Sequence, residues 1–329
     1  MAIAERSSGP VDVAAGIDIG GTNTALGFVD RNGCCLEETS IPTGTDRDPS
    51  ELIRRVHQTI TDLLGRNTRR VLVGIGIGAP NANFHKGTVE SPPNLPWRGI
   101  VNLADHIRRF QDCPVAVTND ANAAAVGEMK FGAARGMRDF IVITLGTGLG
   151  SGLVANGELI LGHDGFAGEI GHTVVDPNGR ECGCGKRGCL ETYASANGIR
   201  RTVAELLCER RADSALRSIA FRDLTARMIS EAAHAGDPIA LEAFERAGRA
   251  LGMKLADAVA HTSPEAIILF GGLAAAGELI FEPAKRHMEA NLLPVFRGKV
   301  KVLPSGLNGG STAVLGAAAL IWNELAKRG

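Results

Sequence analysis

Short apolar runs closed by glycine turns open the chain. Residues 14–19 are apolar and end in Gly20-Gly21-Thr22; residues 25–30 form a second run, and Arg31-Asn32-Gly33 is a turn before a third strand reaching Ile41. Pro49 and Ser50 begin a helix to about Leu64, because Leu52, Ile53, Val56, Ile60, Leu63 and Leu64 recur at helical spacing. Residues 71–77 are β-rich and apolar, closed by Gly78-Ala79-Pro80. The stretch 81–99, rich in Asn, Pro and Gly, reads as a long functional loop rather than a packed element. A strand is expected at 115–117, and Asn119-Asp120 begins a helix to about Phe131.

The opening order then recurs. Residues 141–145, the turn Gly146-Thr147-Gly148, residues 150–154 and the turn Asn156-Gly157 repeat strand, glycine turn, strand, turn. The passages match as Ile-x-Ile-Gly-Gly-Thr from Ile17 and Ile-x-Leu-Gly-Thr-Gly from Ile143. Duplication of one supersecondary unit implies two related α/β domains facing each other across a cleft. The expected division is residues 1–119, joined by the last helix 311–329, and residues 120–310. Downstream the pattern is mostly helical, at 202–207, 224–235 and 238–261. A buried strand at 266–270 ends in Gly271-Gly272, another strand spans 300–303, and Ser311 caps a last apolar helix to about Lys327.

At 329 residues the chain is long enough for two domains of ordinary size. Lys plus Arg is 35 against 36 Asp plus Glu, a formal charge of -1, with no basic stripe to neutralise a nucleic acid. Aromatic residues are only 4%, which argues against a base-stacking surface. The first residues lack the basic and apolar regions of a signal peptide, and no apolar run reaches membrane-spanning length. A soluble cytoplasmic protein without nucleic-acid or membrane partners is expected. Of the seven cysteines, Cys34, Cys35, Cys113 and Cys208 read as reduced thiols.

The other three cluster with a histidine. His172, Cys182, Cys184 and Cys189 are separated by nine, one and four residues, and Glu169 and Glu191 flank them. Zn²⁺ favours four N/S ligands in a tetrahedron, and three thiolates with one imidazole leave no position for water. Such a site fixes a loop, here one carrying His172 and two glutamates, which are good partners for a polyol.

Three glycine turns follow strands: Gly20-Gly21-Thr22-Asn23, Gly146-Thr147-Gly148 and Gly271-Gly272. Without a Cβ in the way, backbone N–H groups at such turns converge on an anion, so three of them favour phosphate binding. There is no Walker A sequence. The one G-x-G-x-x-G match, Gly183, Gly185 and Gly188, follows no strand and is rejected as a dinucleotide motif. Asp120, in the first turn of a helix, is kept ionised by the helix dipole and is the candidate general base. Asp18 lies inside an apolar strand, where a charge needs a partner; a phosphate-bound Mg²⁺, reached through water, would supply one.

Together these residues resemble the ROK family of sugar kinases and sugar-responsive repressors. GIDIGGTN from Gly16 resembles the family's first phosphate loop, ITLGTGLGSGLVANGELILGHDGFAGEIGH from Ile143 its signature, RECGCGKRGCLE from Arg180 its zinc loop, and FGGL from Phe270 its adenosine-side turn. The resemblance covers residues 14–316. It implies an actin-like, ribonuclease-H-like two-domain fold with a central cleft and a structural zinc loop, and ATP-dependent phosphorylation of a hexose 6-hydroxyl. Carried over, Asp120 is the base, and Asn119, Glu169, His172 and Glu191 bind the sugar, with Asn94 a further contact. His172 would bind zinc through one ring nitrogen and face the sugar with the other. Asp18, Gly20, Gly21, Thr22, Asn23, Gly146, Thr147, Gly148, Gly271 and Gly272 would hold the nucleotide and its Mg²⁺. A homodimer or homotetramer is implied. The zinc-loop spacing resembles the glucokinase and N-acetylhexosamine kinase branches more than the fructokinase branch. Glucose is therefore the expected substrate, with N-acetylglucosamine, N-acetylmannosamine or a broad range of hexoses as alternatives. A repressor is disfavoured, since about a dozen residues precede Ala14, too few for a DNA-binding domain.

Overall fold

The computed structural model describes residues 9–307 and 312–327. The elements begin with strands β1 (Val11–Ile19), β2 (Asn23–Val29) and β3 (Cys35–Pro42), helix α1 (Ser50–Gly65) and strand β4 (Arg70–Gly78). Short strands β5 (Ala82–Asn83), β6 (Thr88–Glu90) and β7 (Ile100–Val101) precede α2 (Leu103–Arg108), β8 (Val115–Thr118) and α3 (Asp120–Phe131). Next come β9 (Phe140–Leu145), β10 (Leu149–Ala155) and β11 (Glu158–Leu159), then α4 (Ala196–Glu209), α5 (Ala226–His234) and α6 (Pro238–Thr262). Strand β12 (Ala266–Phe270), α7 (Glu278–Asn291), β13 (Lys301–Pro304) and α8 (Thr312–Ala326) complete the order.

Contacts divide the chain into two compact units. The first is Met1–Arg135, Leu161–Phe166 and Gly306–Gly329; the second is Gly136–Ile160 and Ala167–Ser305. The expected boundary after residue 119 therefore moves to Arg135. The reason is packing: a Cβ on Gly127 would stand 3.0 Å from Gly316 Cα, so α3 lies backbone to backbone on α8 in the first unit. The expected cap Ser311 lies outside the described residues.

In the first unit the sheet order is β3-β2-β1-β4-β8, with β1 antiparallel to β2 and parallel to β4. Helix α8 is buried along Val314–Trp322, which is why it is apolar on every side. It lies directly on the sheet, because any Cβ at Gly16 or Gly76 would collide with the carbonyls of Val314 or Ala317. The stretch 81–99 differs from its expectation. It pairs into a sheet of β5, β6 and β7, and Leu95 and Trp97 are buried in the core. Its Asn, Pro and Gly content concealed two apolar anchors with no periodicity.

In the second unit the order is β11-β10-β9-β12-β13, with β9 antiparallel to β10 and parallel to β12. Asp237 caps α6, accepting from the N–H groups of Ile239 and Ala240 at 3.0 and 3.1 Å. Helix α7, absent from the expected elements, carries Pro283 inside it. That proline packs 2.6 Å from where a Cβ on Gly248 of α6 would lie.

Candidate active site

In the first unit, β1, β4 and β8 run parallel and end together. Asn119 caps α3 by accepting from Asn122 N–H at 2.6 Å, which leaves Asp120 as the first helical residue. The Asp120 side chain accepts from Ala121 N–H at 2.9 Å and keeps solvent access. Surrounding protein raises its carboxyl above the usual carboxylate range, opposed by the N–H groups of Ala121 and of Asp120 itself. Asp18 sits near the end of β1, where burial, and secondly the charge of Asp120, push its carboxyl up to about 7. Gly78, at the end of β4, spaces the two. A Cβ there would stand 3.4 Å from Asp18 Oδ1 and 3.7 Å from Asp120 Cα. In the sequence Gly78 is only a turn marker, and nothing local reveals this role.

The first glycine turn closes by Gly20 N–H donating to Asn23 O at 3.0 Å. Thr43 buttresses it: its hydroxyl donates to Gly20 O at 2.6 Å and its N–H to Thr22 O at 2.8 Å. Thr43 is buried, and sequence reasoning missed it. Thr22 and Asn23 are exposed. Asn94 lies against this turn, with its carbonyl 2.7 Å from where a Cβ on Gly21 would be.

In the second unit, Gly146 N–H donates to Gly148 O at 3.0 Å, and Ala196 N–H, at the start of α4, donates to Gly146 O at 2.9 Å. The Gly271-Gly272 turn is adjacent, since Leu273 N–H donates to Leu145 O at 3.0 Å. Gly271 has φ +103 and crowds Leu145, so a side chain there would be both strained and obstructed.

The ligand atoms of His172, Cys182, Cys184 and Cys189 all lie within 4.8 Å of one another. Cys184 and Cys189 sulfurs are 3.6 Å apart, far beyond the ~2.05 Å of a disulfide. Burial pushes the Cys182 thiol up to about 12. Three thiols and an imidazole converging on one point fit Zn²⁺. His172 Nδ1 faces the cluster, 3.6 Å from Cys182 Sγ, while Nε2 is 4.0 Å from Glu169 Oε2. Glu191 bridges two features. One carboxylate oxygen accepts from Leu149 N–H at 3.0 Å, just after the glycine turn, and the other accepts from Cys182 Sγ at 3.7 Å. A Cβ on Gly148 would collide with that carboxylate, whereas one on Gly146 would meet nothing within 4 Å. Gly148 therefore makes room for Glu191, and Gly146 is the open face of the turn.

The structure thus gathers Asp18 with Asp120, and Asn94 with Gly21, in the first unit. In the second it gathers Glu169, His172 and Glu191 around the three cysteines, with the two other glycine turns side by side. A ROK family profile matches residues 14–324. The chain belongs to the ROK family. A glucokinase of Halalkalibacterium halodurans is 38% identical over 284 residues, covering 85% of this chain and 86% of that protein. A solved ROK glucokinase of Streptomyces griseus, in complex with glucose and AMPPNP, aligns with a TM-score of 0.78 at 34% identity, covering 96% of this chain and 100% of that one. A xylose repressor of Bacillus spizizenii is 30% identical over 82% of this chain and 66% of its own length. The expected actin-like α/β fold is that of the ROK sugar kinases.

Proposed function

We propose that the protein is an ATP-dependent hexose kinase that converts glucose to glucose 6-phosphate. The observation that carries this reading is Asp120, a solvent-accessible carboxylate at the start of α3 whose proton affinity the surrounding protein raises. Such a group can orient a hydroxyl and accept its proton, a contribution typically worth ~10²–10⁴ in rate. A DNA-binding repressor has no need of it, and the glucokinase relatives support glucose as the acceptor.

In this reading Asn94, Asn119, Asp120, Glu169, His172 and Glu191 bind the sugar. His172 turns Nδ1 to the zinc cluster and keeps Nε2 for the sugar. The turns at Gly20–Asn23 and Gly146–Gly148 hold phosphates, and Gly271-Gly272 the adenosine side. Mg²⁺ carried with the nucleotide would supply charge neutralisation at the transferred phosphoryl group. Asp18 would hold it through water, and the cation would relieve the repulsion between Asp18 and Asp120. Zinc held by His172, Cys182, Cys184 and Cys189 would be structural, setting the spacing of Glu169, His172 and Glu191.

A cytoplasmic homodimer or homotetramer belongs to the same reading. No helix among the described residues is long and apolar enough to cross a membrane. The apolar face of α6 is used within the second unit's own core. Association therefore rests on the family likeness, and a monomer mass by light scattering at micromolar concentration would overturn it. The substrate assignment is tested by assaying ATP-dependent phosphorylation of glucose, mannose, fructose, N-acetylglucosamine and N-acetylmannosamine. The highest kcat/KM is expected for glucose, and a preference for either N-acetyl sugar would replace it.

A further inference from the structure

Glu128 is a fully buried carboxylate in α3, far along the helix from the reacting groups. Burying a carboxylate costs several kcal/mol unless hydrogen bonds compensate, so the position calls for a reason. Its partners come from two distant parts of the chain. One carboxylate oxygen accepts from Ala133 N–H at 2.7 Å and from Gly306 N–H at 3.1 Å. The Glu128 carbonyl accepts from Gly132 and Ala134 N–H, each at 3.1 Å. These partners flank two of the places where the chain passes from one unit to the other, between Arg135 and Gly136 and between Ser305 and Gly306. The two strands touch there. A Cβ on Gly306 would collide with the backbone of Ala133, and one on Gly132 with the Glu128 carboxylate.

We infer that Glu128 is a positioning residue for phosphoryl transfer, clamping these two crossings into one hinge at a fixed distance from the general base. Hinges are a few residues that absorb backbone rotation while the bodies on either side stay rigid. Glu128 and Asp120 lie on the same helix, eight residues or about 12 Å apart along its axis. With the clamp in place, motion at the crossings and the position of Asp120 share one lever. Without it, each crossing flexes independently and Asp120 loses its fixed reference. The kinetic part of this inference rests on the sugar-kinase reading; the clamp itself does not.

The test uses the full chain with Glu128→Ala, Glu128→Gln and Gly306→Ala. Gln keeps an acceptor oxygen of the same reach, Ala removes it, and Gly306→Ala forces the strands apart should Glu128→Ala fail to fold. Amide hydrogen exchange without ligands reads the clamp. Glu128→Ala or Gly306→Ala should speed exchange on the order of tenfold at both 132–136 and 305–307, with α1 unchanged and Glu128→Gln near the parent. Faster exchange at one crossing only, or throughout the first unit, would overturn the clamp. In the kinase assay, kcat should fall on the order of tenfold with the KM for glucose and ATP changed less than about threefold, and Glu128→Gln should restore most of it. Loosened crossings with an unchanged kcat would overturn the positioning role. A parent protein that phosphorylates no sugar would sink the kinase reading while the exchange result still decides the clamp.

Discussion

In the first sheet β1 pairs antiparallel with β2 and parallel with β4; in the second β9 pairs antiparallel with β10 and parallel with β12, in the same strand order. Each lead strand ends in a glycine turn, and the internal match aligns Asp18 with Thr144. There the two part company. Asp18 is a carboxyl pushed up to about 7 by burial and by Asp120, whereas the Thr144 hydroxyl accepts from Gly150 N–H at 3.1 Å inside its own hairpin. The connections differ as well. Strand β3 leads directly to α1, while between β11 and α6 the chain inserts the cysteine cluster, α4 and α5. A repeated scaffold thus supplies the same backbone turn twice. What specialises each copy is one charged side chain in the first and one insertion in the second.

The sharpest way to break this comparison is at the charged end. Asp120→Asn should lower kcat by at least ~10²-fold while glucose affinity stays within an order of magnitude, because the amide still hydrogen-bonds but cannot take the proton. Turnover within tenfold of the parent would remove Asp120 from the base role.

The insertion comes next. Purified protein should contain about one Zn²⁺ per chain, as four-ligand structural sites do, and Cys184→Ser or chelation should raise the sugar KM on the order of tenfold, with a smaller change for ATP. Far-ultraviolet circular dichroism should remain near native, since the cluster lies outside all three sheets. Unchanged sugar kinetics in metal-free protein would refute a zinc-ordered sugar site.

The second glycine turn separates two roles within three residues. Gly148→Ala drives a methyl into Glu191 and should raise the sugar KM several-fold, about what displacing one hydrogen-bonding carboxylate costs. Gly146→Ala points into open space, so stability should hold within about 0.5 kcal/mol. Any rise in its KM for ATP would then report the phosphate itself; no rise would place the phosphate elsewhere.

The smallest effect expected is the pH dependence of Asp18. Its folded carboxyl, near 7, holds a proton that the unfolded chain releases at its ordinary value of 3.8. Between those values the folded state binds more protons, so stability falls as pH rises toward 7 and levels off above it. Asp18→Asn removes this contribution. The parent's Tm relative to the variant's should drop by a few degrees between about pH 4.5 and 7.5. A constant difference would show that Asp18 titrates normally.

Most strands and helices were legible because their signals are local: apolar periodicity, glycine turns and caps repeat within a few residues. The cluster of His172, Cys182, Cys184 and Cys189 was legible for a related reason, since a metal site would impose spacing on a short loop. Nothing local in the sequence marks Gly16 and Gly76 as the positions where α8 lies on the sheet. Trp97 and Leu95 went unrecognised as core because they sit among loop-forming residues.

The sequence by itself determined most of the elements, the internal repeat, the family and the identity of the groups available for chemistry. Only the tertiary structure decided which of those groups meet. It set Gly78 between two carboxylates, Thr43 under the first turn, Glu191 against Gly148, and α3 in the first unit with Glu128 gripping two crossings. Each of these contacts joins residues distant along the chain, through close packing or a shared hydrogen bond. Such contacts impose no periodicity on either partner, so no stretch of sequence carries them.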